Sequence, residues 1–322
     1  MTLQHGLFVG LTTLDCIYQA DHPPATNEKI VADKSLLVAG GPATNAAVAF
    51  AQLGKHNRAT LSSVIGAHPL TSIIKEDLHE YGVTVADLDP SRPDLPPVSS
   101  IVVSHATGER AVITRNAVNM QAQPSQILPE LLEGVSIVLV DGHQMVLSAQ
   151  IAQWANAKQI PVVVDAGSWK PGFETVLALA EVVVASANFS PPECTTAQDV
   201  VVYLKSLGVP NVAITRGAES ILYQDSGLNA ADQAPQDSDA NHLDKTVLHE
   251  LDVPQVRALD TLGAGDIFHG AFCHFYLTHT FAESLLKASR SASFACQYWG
   301  TRDWTKIYRM VDEDENEESE NP

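Results

Sequence analysis

Short, nearly unbroken runs of Val, Ile and Leu recur along this 322-residue chain, separated by stretches of helical periodicity, and this rhythm restricts the fold most. The runs lie at 7–10, 60–65, 137–140, 162–165, 182–185, 212–215 and 220–223. A strand that is apolar on both faces has to be covered on both, so several of these runs belong in a sheet sandwiched by helices. Helical patterns fill 44–53, 70–81, 147–157, 197–207 and 265–277. Alternation of this kind predicts an α/β fold with a mainly parallel central sheet. Ligands of such sheets sit beyond the carboxyl ends of the strands.

Two segments break the rhythm. Residues 18–38 and 98–118 read as extended chain, the second as a hairpin with strands at 99–104 and 111–114 about a turn at Thr107-Gly108. Paired, they would make a small second sheet, a lid over the main layer; unpaired, they would be ordinary surface excursions. Exposed strand edges on a lid favour pairing with a second copy, so a homodimer joined through the lid is expected. Residues 224–253, rich in Asp, Asn, Gln and Ala, read as a mobile acidic loop, and 311–322 as a disordered acidic tail. The expected organisation is one domain over 1–310 followed by that tail, without internal repeats.

Nineteen Lys and Arg against 38 Asp and Glu give a formal charge of −19. Phosphate-rich surfaces would repel such a chain, which argues against nucleic-acid or anionic-membrane partners. Cys16, Cys194, Cys273 and Cys296 form no C-x-x-C pair, so reduced thiols and no zinc site are expected. The first ten residues carry no basic flank or cleavage site, and no apolar run approaches the ~20 residues of a membrane span. A soluble cytoplasmic protein is expected.

Chemistry is written most densely in Asp260-Thr261-Leu262-Gly263-Ala264-Gly265-Asp266, which opens a helical pattern. Small residues at 263–265 let a ligand approach the backbone, and the helix aims unpaired N–H groups and its positive dipole end at that spot. A resting phosphate there would repel Asp266, but a carboxylate that takes a proton from an attacking hydroxyl belongs beside an anion hole. The same residues could also be a glycine turn with Asp266 near a helix start. Gly40-Gly41-Pro42-Ala43-Thr44-Asn45 exposes backbone ahead of another helix, with Asn45 offering donor and acceptor, or it is a tight turn capped by Thr44. Asp15, just after the first strand, can accept hydrogen bonds from a diol or serve as a turn residue.

Together these two motifs, with the continuation Ile267-Phe268-His269-Gly270-Ala271-Phe272, resemble the signatures of the ribokinase-like (PfkB) carbohydrate kinases over residues 5–305. Gly142, Asp165-Ala166-Gly167-Ser168 and Lys170-Pro171 look most like the ketohexokinase and sulfofructose kinase branch. The resemblance implies a three-layer α/β/α sandwich with a β-lid, and ATP-dependent, magnesium-assisted phosphoryl transfer to a hydroxyl of a small sugar, such as a ketose. It places Asp266 as catalytic base and the backbone from Leu262 through Gly263, Ala264 and Gly265 as the anion hole. Asp15, Gly41 and Asn45 match sugar-binding positions, and Arg110 matches a lid residue near the substrate. Asn188, Thr215, Gly217, Asp260 and Thr261 fall on the nucleotide side.

The chain also departs from the family pattern. Pro191 replaces the Glu of Asn-x-x-Glu, Ser220 replaces a glycine, and His68 stands where an acid is frequent. His143 occupies a position where the ketohexokinase branch has Arg, and only Arg is an always-charged bidentate fork. Two other readings therefore stand beside a sugar kinase: a nucleoside kinase of the same family, and a non-catalytic nucleotide- or sugar-binding regulator. The nucleoside reading is the poorer match, because 98–118 holds no aromatic residue to stack a base.

Overall fold

The computed structural model describes residues 3–105, 107–115, 120–227 and 248–308. In chain order its elements are β1 (His5–Val9), β2 (Thr13–Ala20), β3 (Lys34–Gly40), α1 (Pro42–Leu53), β4 (Arg58–Ser63), α2 (Thr71–Glu80), β5 (Val83–Asp87), β6 (Val98–Ser104) and β7 (Arg110–Thr114). There follow β8 (Ile137–Val140), α3 (Met145–Ala157), β9 (Val162–Ala166), α4 (Phe173–Leu177), β10 (Val182–Ser186), α5 (Ala197–Ser206), β11 (Asn211–Arg216), β12 (Glu219–Gln224), β13 (His249–Leu251), α6 (Ala264–Tyr276) and α7 (Phe281–Ala295).

The nine-stranded main sheet runs β13-β12-β11-β10-β9-β8-β1-β4-β5. From β5 to β11 every pair is parallel; only β12 and β13 join antiparallel. Alternate side chains of the apolar strands feed two cores, as continuous Val/Ile/Leu runs require. On one face Phe8, Leu61, Leu139, Val163 and Val184 pack with α1, α6 and α7. On the other, Leu7, Val9, Val140, Val164 and Val183 pack with α3, α4 and α5. The seven strands expected from the sequence are all present, within a sheet that also holds β5 and β13.

The lid is a four-stranded sheet, β3-β2-β6-β7. The expected hairpin is β6 and β7, with Val103 opposite Arg110 and Ser99 opposite Thr114. The first lid segment differs from its expected bounds: β2 starts at Thr13 and β3 at Lys34, leaving residues 21–33 without regular structure. Asp15 therefore lies within a lid strand rather than in a turn after β1. Ile17, Val38, Ile101 and Val103 turn inward onto Trp299, joined by Leu36 and Leu262. The expected acidic loop is shorter than 224–253, because β13 pairs with β12 through Tyr223 and His249; residues 228–247, like 116–119 and the tail from 309, lie outside the described residues. Among the described residues, no helix is long and apolar enough to cross a membrane.

Candidate active site

The amino end of α6 makes the centre of the site. Gly263 adopts φ +71°, where a side chain is disfavoured, and a Cβ on it would stand 2.8 Å from Thr301 Cγ2. The buried Asp260 carboxylate pins the loop before it, accepting from Leu262 N at 2.9 Å and from Gly300 N at 2.8 Å. That commits the Leu262 amide, while Ala264 N reaches Thr261 O at 3.3 Å. Gly265 and Asp266 occupy the first turn, whose amides have no intrahelical acceptor. A Cβ at Gly265 would meet nothing within 4 Å, so there is open space beside this turn. Dipole and free amides together favour an anion there.

Asp266 faces this space with one oxygen anchored: Asn45 Nδ2 of α1 donates to its Oδ2 at 2.8 Å. Burial pushes its carboxyl up to about 7, helped by the nearby Asp165 charge and opposed by Asn45, His269 and Arg110. Asp165, at the end of β9, is itself raised, foremost by burial. His269 is close enough to influence both carboxyls. Its Nδ1 lies 2.7 Å from Gly265 O and 3.6 Å from Asp165 Oδ2, and its Nε2 lies 3.3 Å from Val184 O. A half-buried base with a pKa near neutrality, beside an anion hole, can accept a proton without being permanently repelled by a phosphate.

The lid supplies the facing wall. Asp15, Ser99 and Thr114 stand in one row across β2, β6 and β7. Thr13 Oγ1 donates to Asp15 Oδ1 at 2.6 Å, and Ser99 Oγ to Thr114 Oγ1 at 3.2 Å. Burial raises the Asp15 carboxyl, against Thr13, Ser99 and Arg302. Gly41 starts α1 at φ +101°, where a Cβ would collide with the Leu11 carbonyl. The hairpin end is latched to the loop before α6. Arg110 Nη1 donates to Thr261 O at 3.3 Å and to its Oγ1 at 3.4 Å, and Thr261 Oγ1 donates to Gly108 O at 3.3 Å.

Asn188, Thr215 and Gly217 form a separate group at the ends of β10 and β11, and among the described residues none of them bonds to Asp266 or Asn45. Ala187 N donates to Thr215 O at 2.9 Å, and Asn188 N to Ser186 Oγ at 3.2 Å. Beyond them Arg216, Glu219, Ser220, Asp252 and Gln255 line a shallow concavity. The substituted Ser220 uses its hydroxyl to reach Asp252 Oδ1 at 3.0 Å. Pro191 is buried, and the nearby Glu193 is exposed with φ +66°. His68 accepts Leu70 N at 3.2 Å on Nδ1, so it shapes the turn into α2. His143 is held by its backbone, donating N–H to Asp141 Oδ1 at 2.9 Å and accepting Gln121 Nε2 at 2.6 Å.

Three residues of the site escaped the sequence reading. Asp141 accepts from Leu11 N at 2.8 Å and Ala43 N at 3.2 Å as well as from His143, fixing the start of α1 against the end of β1. His269 carried one faint signal, its place one helical turn after Asp266. Arg302, 3% exposed, donates to Asn45 Oδ1 and carried none.

A mostly parallel sheet carrying a four-stranded lid in this arrangement has counterparts. The chain is 22% identical to ribokinase of Bacillus subtilis (strain 168) over 314 residues, covering 95% of this chain and 97% of that protein. It is 26% identical to mouse (Mus musculus) ketohexokinase over 305 residues, covering 92% and 95%. Among solved structures, Giardia lamblia ribokinase superposes with a TM-score of 0.75 at 17% identity, covering 98% of this chain and 99% of that one. Arabidopsis thaliana ribokinase complexed with ribose and ATP superposes with 0.68 at 19% identity, covering 96% and 99%. The model of the pfkB family carbohydrate kinases matches residues 4–306, and with it the chain belongs to that family, whose members are phosphotransferases acting on sugar hydroxyls.

Proposed function

We propose that this kinase transfers the γ-phosphoryl group of ATP to a hydroxyl of a small ketose or related sugar, with Asp266 as general base. The observation that carries the reading is the pairing of Asp266, raised to about 7, with the unclaimed first-turn amides of α6. Asp15, Gly41 and Asn45 hold the sugar, and Arg110 closes the lid over it. Asn188, Thr215, Gly217, Asp260 and Thr261 serve the nucleotide side. The attacking oxygen bonds to the γ-phosphorus while its proton passes to an Asp266 oxygen. The bond from that phosphorus to the β,γ-bridging oxygen breaks, and ADP leaves. The Gly263–Gly265 backbone balances charge on the transferred group, a preorganised donor being worth ~10²–10³ in rate.

Among the described residues, no three His, Cys, Asp or Glu side chains converge as a metal site. Magnesium is therefore taken as part of the nucleotide substrate, held by phosphate oxygens and water, where it neutralises phosphate charge. The polar row of Asp15, Ser99 and Thr114 suits a polyol better than a nucleobase. The test is ADP release with a panel of ketoses, aldoses and nucleosides, using Asp266→Asn as control. Turnover of a ketose that the variant lacks supports the reading. Turnover of nucleosides alone, or of nothing, refutes it.

A further inference from the structure

Arg302 follows α7 yet reaches into the heart of the site. Its Nη1 donates to Asn45 Oδ1 at 3.0 Å, to Thr301 Oγ1 at 3.0 Å and to Thr301 O at 3.3 Å. Its Nη2 donates to Ala39 O at 2.6 Å and to Asp77 Oδ2 at 3.0 Å. The same Asp77 oxygen accepts Ala39 N at 3.1 Å, and the Tyr81 ring lies under the guanidinium at 5.4 Å. Both charges are largely removed from water, with side-chain exposures of 3% for Arg302 and 10% for Asp77. A buried ion pair adds little to stability over an apolar pair of the same size, so its presence calls for another role.

The chemistry of the two side chains supplies one. A guanidinium has five donors and no acceptor. Facing Arg302, Asn45 can present only its carbonyl oxygen, which turns its NH₂ toward Asp266 Oδ2. Rotated by half a turn, the amide would set donor against donor at Arg302 and oxygen against oxygen at Asp266. We propose that the Asp77–Arg302 pair is a positioning device for the base: it locks the Asn45 amide in the one orientation that donates to Asp266. The pair thereby fixes the orientation of the Asp266 carboxylate through its Oδ2, and through Ala39 it steadies the turn at Gly40-Gly41. Arg302 is a positioning residue, since nothing places it against the substrate.

The inference rests on Asp266 being the base, and the experiment separates the two. Around Asp266 stand Asn45 from α1, Asp165 from β9, His269 from α6 and Arg110 from the lid. Around Arg302 stand Asp77 and Tyr81 near α2 and Asp15 from β2. All but the substituted residues are left in place. Removing Arg302 alone would strand a buried Asp77, so the main variant is the double Asp77→Leu/Arg302→Met, with Arg302→Lys as a charge-preserving companion that loses the fork. Rates against pH are measured for both beside wild type and Asp266→Asn.

The expected result is a loss of about 10–100-fold, as for other residues that orient a reacting group from behind, falling on kcat more than KM. The acid limb of kcat/KM should move to higher pH, because an amide no longer held donates less to the carboxylate. Arg302→Lys should lie between wild type and the double variant. Superimposable pH profiles, or a loss confined to sugar KM, overturn the proposal; if the double variant does not fold, Arg302→Lys alone decides by the same criterion. An active Asp266→Asn enzyme would instead overturn the assignment of the base.

Discussion

Gly265 offers a substitution whose effects on stability and on catalysis should have opposite signs. It lies in the first turn of α6, exposed, and a Cβ there meets nothing within 4 Å. Alanine in a helix is favoured over glycine by roughly 0.5–1 kcal/mol, with nothing here to clash. For a chain of this length the unfolding entropy turns that gain into a rise of about 1 °C in Tm. On the proposed anion-hole reading, however, the added methyl would crowd the space that the transferred phosphoryl group needs beside the Gly265 and Asp266 amides. Blocking one such donor should lower kcat by about 10²–10³. Gly263→Ala provides the contrast, because φ +71° and the 2.8 Å approach to Thr301 strain it. That variant should lose about 1–2 kcal/mol to the backbone alone as well as activity. The assays are calorimetric Tm and initial rates at saturating sugar. A Gly265→Ala enzyme that works within about threefold of wild type would refute the anion-hole assignment, since removal of a working donor costs far more.

Asp266→Asn should lower kcat by ~10²–10⁴ with the fold retained. In the wild-type enzyme kcat/KM should fall about tenfold per pH unit below pH 7, since the base must be ionised to act; a limb centred near pH 4 would contradict this. The raised carboxyl favours the folded state when protonated, and its contribution is lost as pH rises through about 7. Asp266→Asn should therefore raise Tm more at alkaline than at acid pH, and an equal rise at both would exclude the linkage. On the outer lid face Ile113 is 78% and Leu37 52% exposed, in one cross-strand row with Cys16 and Ser100. If this face joins two copies, Ile113→Glu should shift light-scattering mass from dimer to monomer, whereas a monomeric wild type would dispose of the idea.

Strands buried on both faces were plain in the sequence because nothing but a covered sheet tolerates Val162 to Val164 or Val182 to Val184. β5 was hidden because Val83–Asp87 alternates apolar with polar residues and is only five long, and β13 because it is three residues at the end of an acidic stretch. α7 went unread because it is rich in serine, although Thr280 and Glu283 form a capping box at its start. The lid strand carrying Asp15 was misplaced since its inward row mixes Thr13, Asp15 and Gln19 with Ile17, which masks a strand's alternation. The turn at Gly263 and the meeting of Asn45 with Asp266 fell within legible motifs because close backbone approach demands particular residue types at fixed spacing. Arg302 did not, since its role lies in partners 225 and 257 positions away, and no local spacing encodes such a contact.

Those separations also set a schedule for the newly made protein. Asn45 is synthesised early, but Asp266 follows 221 residues later and Arg302 257 residues later. At ~5–20 residues per second, Asn45 waits on the order of ten to forty seconds for Asp266. Throughout that interval β1 and α1 lack the helices α6 and α7 that pack with them in one core. The chain of hydrogen bonds from Asp266 through Asn45 to Arg302 is therefore closed only after residue 302 has been made.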